Sequence, residues 1–228
     1  MAGDSVPAGL WINIGSGPGN ADGWIGVDGS WQALFAGRPR LARIASRLVR
    51  RPVGAWPAGI VRSNLRRRLP FDDESAAVVY SSHTLEHLHR NEAVRALNEM
   101  RRVLKRGGVC RVVVPDVHAI VRWYLEKASS AEPEGASDQL MSMMLLRPRS
   151  AETRVGLLAQ YRRLTDFDSH KWMYDQAGLV RLFRDAGFGR PEPRSWLDSA
   201  IDERRLAHVE QRDRVADGAG VCVEAVRD

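Results

Sequence analysis

The feature that most constrains the fold is a run of apolar and small residues from Ala76 to Ser82, followed at once by histidines and an acid. Such a run is typical of a strand that is buried on both faces of a parallel sheet. His83, Glu86 and His87 come next, at spacings that would place them on one face of a helical first turn. The sequence therefore predicts a parallel strand whose carboxyl end carries most of a metal site.

The composition indicates one globular domain with a full core. The chain has 228 residues, of which 44% are hydrophobic and 27% charged, and no apolar run is long enough to cross a bilayer. Cys110 and Cys222 lie in apolar, strand-like runs, which predicts buried thiols in a reducing compartment. Because the amino-terminal sequence lacks the pattern of a secretory signal, we expect a cytoplasmic protein.

A formal charge of +6 comes largely from arginines clustered between Arg38 and Arg68. Such a cluster would attract nucleic acid, an anionic substrate or a membrane surface. No aromatic residues alternate with these arginines, and no nucleic-acid-binding module accompanies them. We therefore favour a solvated helix face and do not expect nucleic acid as a partner.

The chain opens with a strand and a glycine-rich turn. The apolar strand Leu10–Ile14 is followed by the turn Gly15–Gly19, where glycines would let a ligand approach the main chain. A second strand, Trp24–Val27, ends at Asp28, the position at which open α/β sheets bind ribose hydroxyls. An ordinary turn, and a helix cap at Asp28, are the simple alternatives.

This pattern resembles motif I of class I S-adenosylmethionine (SAM)-dependent methyltransferases, in which the first strand leads into G-x-G-x-G. Asn13 stands where many members carry an acid, and Asn64, which ends a predicted third strand Ile60–Leu65, stands where the family contacts the adenine amino group. The cofactor-binding residues implied by the resemblance are Asn13, Gly15, Ser16, Gly17, Asp28, Gly29, Asn64, Leu65, Ser81 and Ser82.

The most specific match runs from Leu69 to Asp116 and resembles the family pattern LPF-D…SxxxLEHL…VLKxGG…VxVPD. It implies one Rossmann-like α/β domain over residues 1–228, with a seven-stranded sheet of order 3-2-1-4-5-7-6 and an antiparallel last strand. A helical insertion is expected at about 129–165. Its apolar stretch Leu140–Leu146 indicates a packed helix, with a substrate lid or a homodimer contact as alternatives.

The histidine cluster resembles the E-x-x-E-H segment of small-RNA ribose 2′-O-methyltransferases and ubiquinone-pathway O-methyltransferases. His83 replaces the first glutamate of that frame, and His170 matches the distal histidine of the former group. The implied metal ligands are His83, Glu86, His87 and His170, which suit magnesium or manganese, with zinc as an alternative. The candidates for catalysis are His83, His87 and His170, followed by His118 and Asp116. A hydrogen-bonded structural role is the alternative for each histidine.

These features predict a SAM-dependent O-methyltransferase that acts on a sugar or glycan hydroxyl, or on another hydroxyl-bearing small molecule. A divalent cation makes an aliphatic hydroxyl more acidic and fixes its position, and a histidine can then take the proton. RNA ribose 2′-O-methylation is the alternative, favoured by the basic charge but without an RNA-binding domain. A non-catalytic binding protein with the methyltransferase fold is the other alternative, since Asn13 and a short first crossover depart from the family.

Overall fold

The computed structural model describes residues 6–19, 21–49, 53–54, 56–144, 169–216 and 218–228. Its seven-stranded sheet has the order β3-β2-β1-β4-β5-β7-β6. The strands are β1 (Leu10–Ile14), β2 (Ile25–Asp28), β3 (Val61–Arg62), β4 (Ala76–Ser82), β5 (Leu104–Pro115), β6 (Glu192–Arg194) and β7 (Gly220–Val226). Neighbours among β1 to β5 pair in parallel, whereas β7 is antiparallel to both β5 and β6. The predicted fold and strand order are confirmed.

Seven α-helices are assigned within the described residues. They are α1 (Pro39–Val49), α2 (Arg90–Val103), α3 (Val117–Ala128), α4 (Ala136–Met143), α5 (Gln176–Asp185), α6 (Glu203–Leu206) and α7 (Arg212–Val215). Two short 3-10 helices cover Trp31–Phe35 and Leu85–His87. None of the helices in these parts of the chain is both long and apolar enough to cross a bilayer.

The central strand β4 is buried at all seven positions. Val79 packs into a cluster formed with α2 and α5, whereas Val78 and Tyr80 pack into a second cluster that contains Trp11 and Trp24. Because successive side chains of a strand point to opposite faces, β4 lies between two apolar layers. Its polar carboxyl end therefore opens at the edge of the sheet and not on a face.

The prediction of a helix that begins directly after β4 is wrong. His83 has a left-handed backbone with φ 51°, and the following residues form only the 3-10 turn Leu85–His87. The α-helix α2 begins at Arg90, where His89 and Glu92 form a capping box. The left-handed residue thus lies between the end of β4 and the 3-10 turn, where it interrupts regular helical geometry.

Two strand boundaries also differ from the predicted ones. β3 is limited to Val61–Arg62, because the Asn64 side chain accepts a hydrogen bond from the Arg66 amide at 3.0 Å and so starts a turn. β6 covers Glu192–Arg194, whereas the sequence predicts this strand around Arg194–Leu197. Of the predicted insertion at 129–165, α4 lies within the described residues, whereas 145–165 lies outside them.

Candidate active site

The carboxyl end of β4 is joined to a distant segment of the chain by backbone hydrogen bonds. The Glu86 carbonyl accepts hydrogen bonds from the amides of Lys171 at 2.7 Å and Trp172 at 3.1 Å. The His83 amide donates to the Val113 carbonyl at 2.9 Å and so prolongs the pairing of β4 with β5. These bonds fix the segment that contains His170 against the turn that contains Glu86 and His87.

Three potential metal ligands meet as a result. Glu86, His87 and His170 each offer one ligand atom, and these three atoms lie within 4.8 Å of one another. His170 Nε2 is 4.0 Å from Glu86 Oε1, and the rings of His87 and His170 are 5.0 Å apart at their centroids. The fourth predicted ligand, His83, places Nδ1 at 3.6 Å from the same carboxylate oxygen.

The Glu86 carboxyl group is fully buried, and no other described residue donates a hydrogen bond to either of its oxygens. Burial raises the pKa of Glu86 to about 8. A buried carboxylate without a donor is costly, and a bound cation would relieve that cost. This unpartnered group is therefore the observation that best fits a metal.

The imidazoles beside Glu86 are in the state that metals bind. Burial lowers the pKa of His83 to about 4, and burial with the charges of His87 and His83 lowers the pKa of His170 to about 4. Both rings are therefore neutral at pH 7. His87 Nδ1 lies 3.3 Å from the Ser169 carbonyl, which can only accept, so in this contact Nδ1 carries a proton. One carboxylate with such imidazoles suits manganese, iron or zinc at least as well as magnesium.

The glycine-rich turn adjoins this cluster. Gly15 has φ +71°, and its amide donates to the Val27 carbonyl at 2.8 Å. A Cβ atom at Gly15 would lie 1.9 Å from Thr84 Oγ1, so no other residue fits between β1 and the turn after β4. Gly17 has φ +58° and open space where a Cβ would stand, so a ligand could approach its main chain.

Asp28 connects the glycine-rich turn to the end of β2. Its Oδ2 accepts from the Gly17 amide at 3.0 Å, and its Oδ1 from the Ser30 amide at 2.7 Å. Each carboxylate oxygen has a second lone pair, so both remain able to accept from ribose hydroxyls. A Cβ atom at Gly29 would lie 2.9 Å from the Ser63 carbonyl, and this close approach brings the ends of β2 and β3 together.

The other predicted cofactor residues lie along the same edge. Asn13 pairs in register with Gly26 and Tyr80, and Ser16 Oγ donates to the Gly17 carbonyl at 3.2 Å. Ser81 and Ser82 are buried, with hydroxyl oxygens that have no partner among the described residues. Leu65 is partly buried and packs against the main apolar cluster beside Asn64.

The structure does not bring the two second-line candidates into the cluster. Asp116 Oδ1 accepts from the His118 amide at 2.9 Å and caps α3, and His118 is exposed beside Arg122. Asp116 and the His118 amide therefore form the N-terminal cap of α3. They are outside the three-ligand group.

Two site residues were missed by the sequence analysis. Tyr174 is buried, its hydroxyl has no partner within the described residues, and burial together with the Glu86 charge raises its pKa. Tyr174 is the last residue of the segment His170–Tyr174, and its closeness in sequence to His170 could have indicated that it lies near the site. Arg214, on α7, carries a charge that helps to lower the pKa of His83, and nothing in the sequence connects it to β4.

The strand order and the polar edge define a class I methyltransferase fold. Residues 12–112 match the Methyltransf_11 family, described as a methyltransferase domain. Residues 12–112 thus have the sequence pattern of a methyltransferase domain, which together with the fold supports a SAM-dependent methyltransferase in general. A comparison with curated proteins found no significant match.

Solved structures of similar fold include a protein from Pyrococcus horikoshii OT3, with a TM-score of 0.50, 14% identity and coverage of 97% of this chain and 83% of that chain. A SAM-dependent methyltransferase from Thermotoga maritima has a TM-score of 0.46 and 19% identity, with coverage of 97% of this chain and 83% of that chain. Geranyl diphosphate C-methyltransferase from Streptomyces coelicolor A3(2) has a TM-score of 0.45 and 14% identity, with coverage of 99% of this chain and 73% of that chain. At these identities the similarity concerns the fold alone.

Proposed function

We propose that the chain transfers a methyl group from SAM to a hydroxyl of a saccharide, with a divalent cation held by Glu86, His87 and His170. The observation that supports this most is the buried, unpartnered Glu86 carboxyl group between neutral imidazoles, at the edge where β4 ends. When bound, SAM supplies an electrophilic methyl group, and the cation lowers the pKa of the acceptor hydroxyl.

The residues around the cation would position the acceptor and accept its proton. His87 contacts the Ser169 carbonyl through Nδ1, and His170 directly precedes Lys171, whose amide donates to the Glu86 carbonyl. His83 is neutral at pH 7 and so can take a proton, and its Nδ1 lies 3.6 Å from Glu86 Oε1. Its left-handed backbone costs roughly 1–2 kcal/mol, and strain of this kind is concentrated at functional sites.

The donor side of the site would be formed by the ends of β1, β2 and β3. Asp28 and the Gly17 amide are already joined, so the turn is fixed before a nucleoside arrives. Such preorganisation aligns the methyl group with the acceptor oxygen, which contributes much of the rate in transfers of this kind.

A saccharide is the acceptor that we favour, because two neighbouring hydroxyls can chelate one cation while one of them is methylated. Analogy with glycan methyltransferases supports the same choice. The two buried free thiols, Cys110 and Cys222, are consistent with the cytoplasmic location that we propose.

The test is methyl transfer from labelled SAM to a panel of saccharides by the full chain, with Mn²⁺ or with EDTA. We expect transfer that requires the cation and that falls at least 100-fold in Glu86→Gln and His170→Ala. His208→Ala, at an exposed histidine, is the matched control and should retain full activity. Transfer that persists in EDTA, or labelling of RNA with no labelled saccharide, would contradict the proposal.

A further inference from the structure

The segment between β2 and β4 has an unusual charge. From residue 29 to residue 71 the sequence contains ten arginines and neither Asp nor Glu. The helix α1 lies within it and carries Arg40, Arg43 and Arg47, none of which has an ion-pair partner among the described residues. These charges are therefore available to an external anion.

The same helix exposes apolar side chains. Leu41, Ile44 and Leu48 are 48%, 54% and 79% exposed, and their spacing places them in one stripe along the helix. At 100° per residue the three arginines form the adjacent stripe. α1 packs onto the protein through a different side, where Ala42 is buried.

A second apolar group lies on the 3-10 helix Trp31–Phe35, which contacts α1. Trp31 and Leu34 are each 46% exposed. A solvated helix face, which the sequence analysis favoured, would present polar side chains here. The arginines of α1 are exposed, as expected for a solvated face, but a solvated face does not account for the apolar stripe beside them. Contiguous apolar surface flanked by arginines is typical of a binding surface.

We propose that this surface, formed by Trp31, Leu34, Leu41, Ile44 and Leu48 with the flanking arginines, docks the protein on an anionic lipid bilayer. Aliphatic side chains and a tryptophan beside cations are what an interfacial helix needs, because the apolar stripe enters the acyl boundary while arginines meet lipid phosphates. A second copy of the chain would bring two sets of unpaired arginines together. Nucleic acid would meet the arginines but leave the aliphatic stripe in water.

The experiment is co-sedimentation of the full chain with phosphatidylcholine vesicles and with vesicles that contain 30% phosphatidylglycerol. We expect binding to the anionic vesicles that weakens as salt is raised. Replacing Arg40, Arg43 and Arg47 by Gln should weaken it about 100-fold, at about five-fold per arginine. The variant L41S/I44S/L48S should also lose binding at unchanged charge.

Matched controls come from other exposed positions. Val121→Ser with Leu125→Ser on α3, and Arg181→Gln with Arg184→Gln on α5, should change vesicle binding less than two-fold. Far-UV circular dichroism and S-adenosylhomocysteine binding should be unchanged in all variants. The proposal would be overturned if the chain did not bind anionic vesicles, or if the control variants lost binding to the same extent. It would also be overturned if the vesicles did not bind and the same surface were instead required for a dimer or for an RNA complex.

Discussion

Replacing Glu86 by Gln should stabilise the metal-free protein, although it removes a residue that we place at the centre of the site. Gln keeps the shape of the side chain and removes its charge. Burial raises the pKa of Glu86 to about 8 from an ordinary value of 4.5, and no other described residue donates to its oxygens. The folded protein therefore holds a proton at pH 7 that the unfolded chain releases.

The difference in the Glu86 pKa between the folded and unfolded states sets the sign and size of its effect on the free energy of unfolding. This destabilising effect is absent below pH 4.5, grows as pH rises, and is complete above about pH 8. At pH 7 the unfolded carboxyl group is about 2.5 pH units above its pKa, which corresponds to about 3 kcal/mol. Removal of this destabilising effect should raise the Tm by about 6–12 °C for a chain of this size.

The assay is thermal and urea unfolding of both proteins from pH 5 to pH 8 in EDTA, repeated with Mn²⁺. In EDTA the stability advantage of Glu86→Gln over the wild type should grow from pH 5 to pH 8, because the lowered pKa values of His83 and His170 affect both proteins alike. With Mn²⁺ in hundredfold excess over its Kd, the wild type should gain about 2.7 kcal/mol and the variant nothing. If the variant is less stable than the wild type in EDTA, the carboxyl group has a partner and the reasoning is refuted.

Glu99→Gln is a control for which we expect the opposite change in stability. Its carboxylate accepts hydrogen bonds from Arg102 and from the Leu69 amide, and the pKa of Glu99 is lowered mainly by the Arg102 bond. Stability contributed by a lowered pKa is present above the unfolded value and is lost in acid. Glu99→Gln should therefore destabilise the protein at pH 7, with or without Mn²⁺.

Two further variants test the predicted nucleoside site, and a third tests the buried ion pair of Arg111. Gly15→Ala should abolish S-adenosylhomocysteine binding in calorimetry, because its Cβ would lie 1.9 Å from Thr84 Oγ1; unchanged affinity would contradict the turn geometry. Asp28→Asn weakens two bonds from backbone amides and should reduce the same affinity about 10-fold or more, as hydrogen bonds to a charged group contribute roughly 1.5–3 kcal/mol each. Arg111→Leu should cost about 3–5 kcal/mol in urea unfolding, because it leaves buried Glu210 without its partner at 2.7 Å; a loss below 1 kcal/mol would refute that.

Features that depend on periodicity were predictable from the sequence. The buried run Ala76–Ser82 predicted β4. The apolar spacing within Asn91–Leu104 likewise predicts an amphipathic helix, which the structure has as α2 (Arg90–Val103). The meeting of His87 with His170 was expected from a resemblance. The structure supplies its physical cause, which is the pair of amide bonds to the Glu86 carbonyl.

Features that depend on tertiary contacts were not predictable. Nothing local in the sequence indicates that His83 adopts a left-handed backbone, and this residue prevented the expected helical turn. Arg111 lies inside an apolar strand and gave no sign of its burial, because its partners Glu210 and Glu224 are about 100 residues further along the chain. The exposure of the α1 stripe likewise depends on which side of the helix packs inward.

The most direct test is a crystal structure of the full chain with S-adenosylhomocysteine and Mn²⁺, with data that record the anomalous signal of manganese. We predict one anomalous peak bounded by Glu86 and by Nε2 of His87 and His170, at roughly 2.0–2.3 Å from each ligand atom. The nucleoside should lie on Asp28. No peak between these side chains, or a nucleoside elsewhere, would contradict the proposed site.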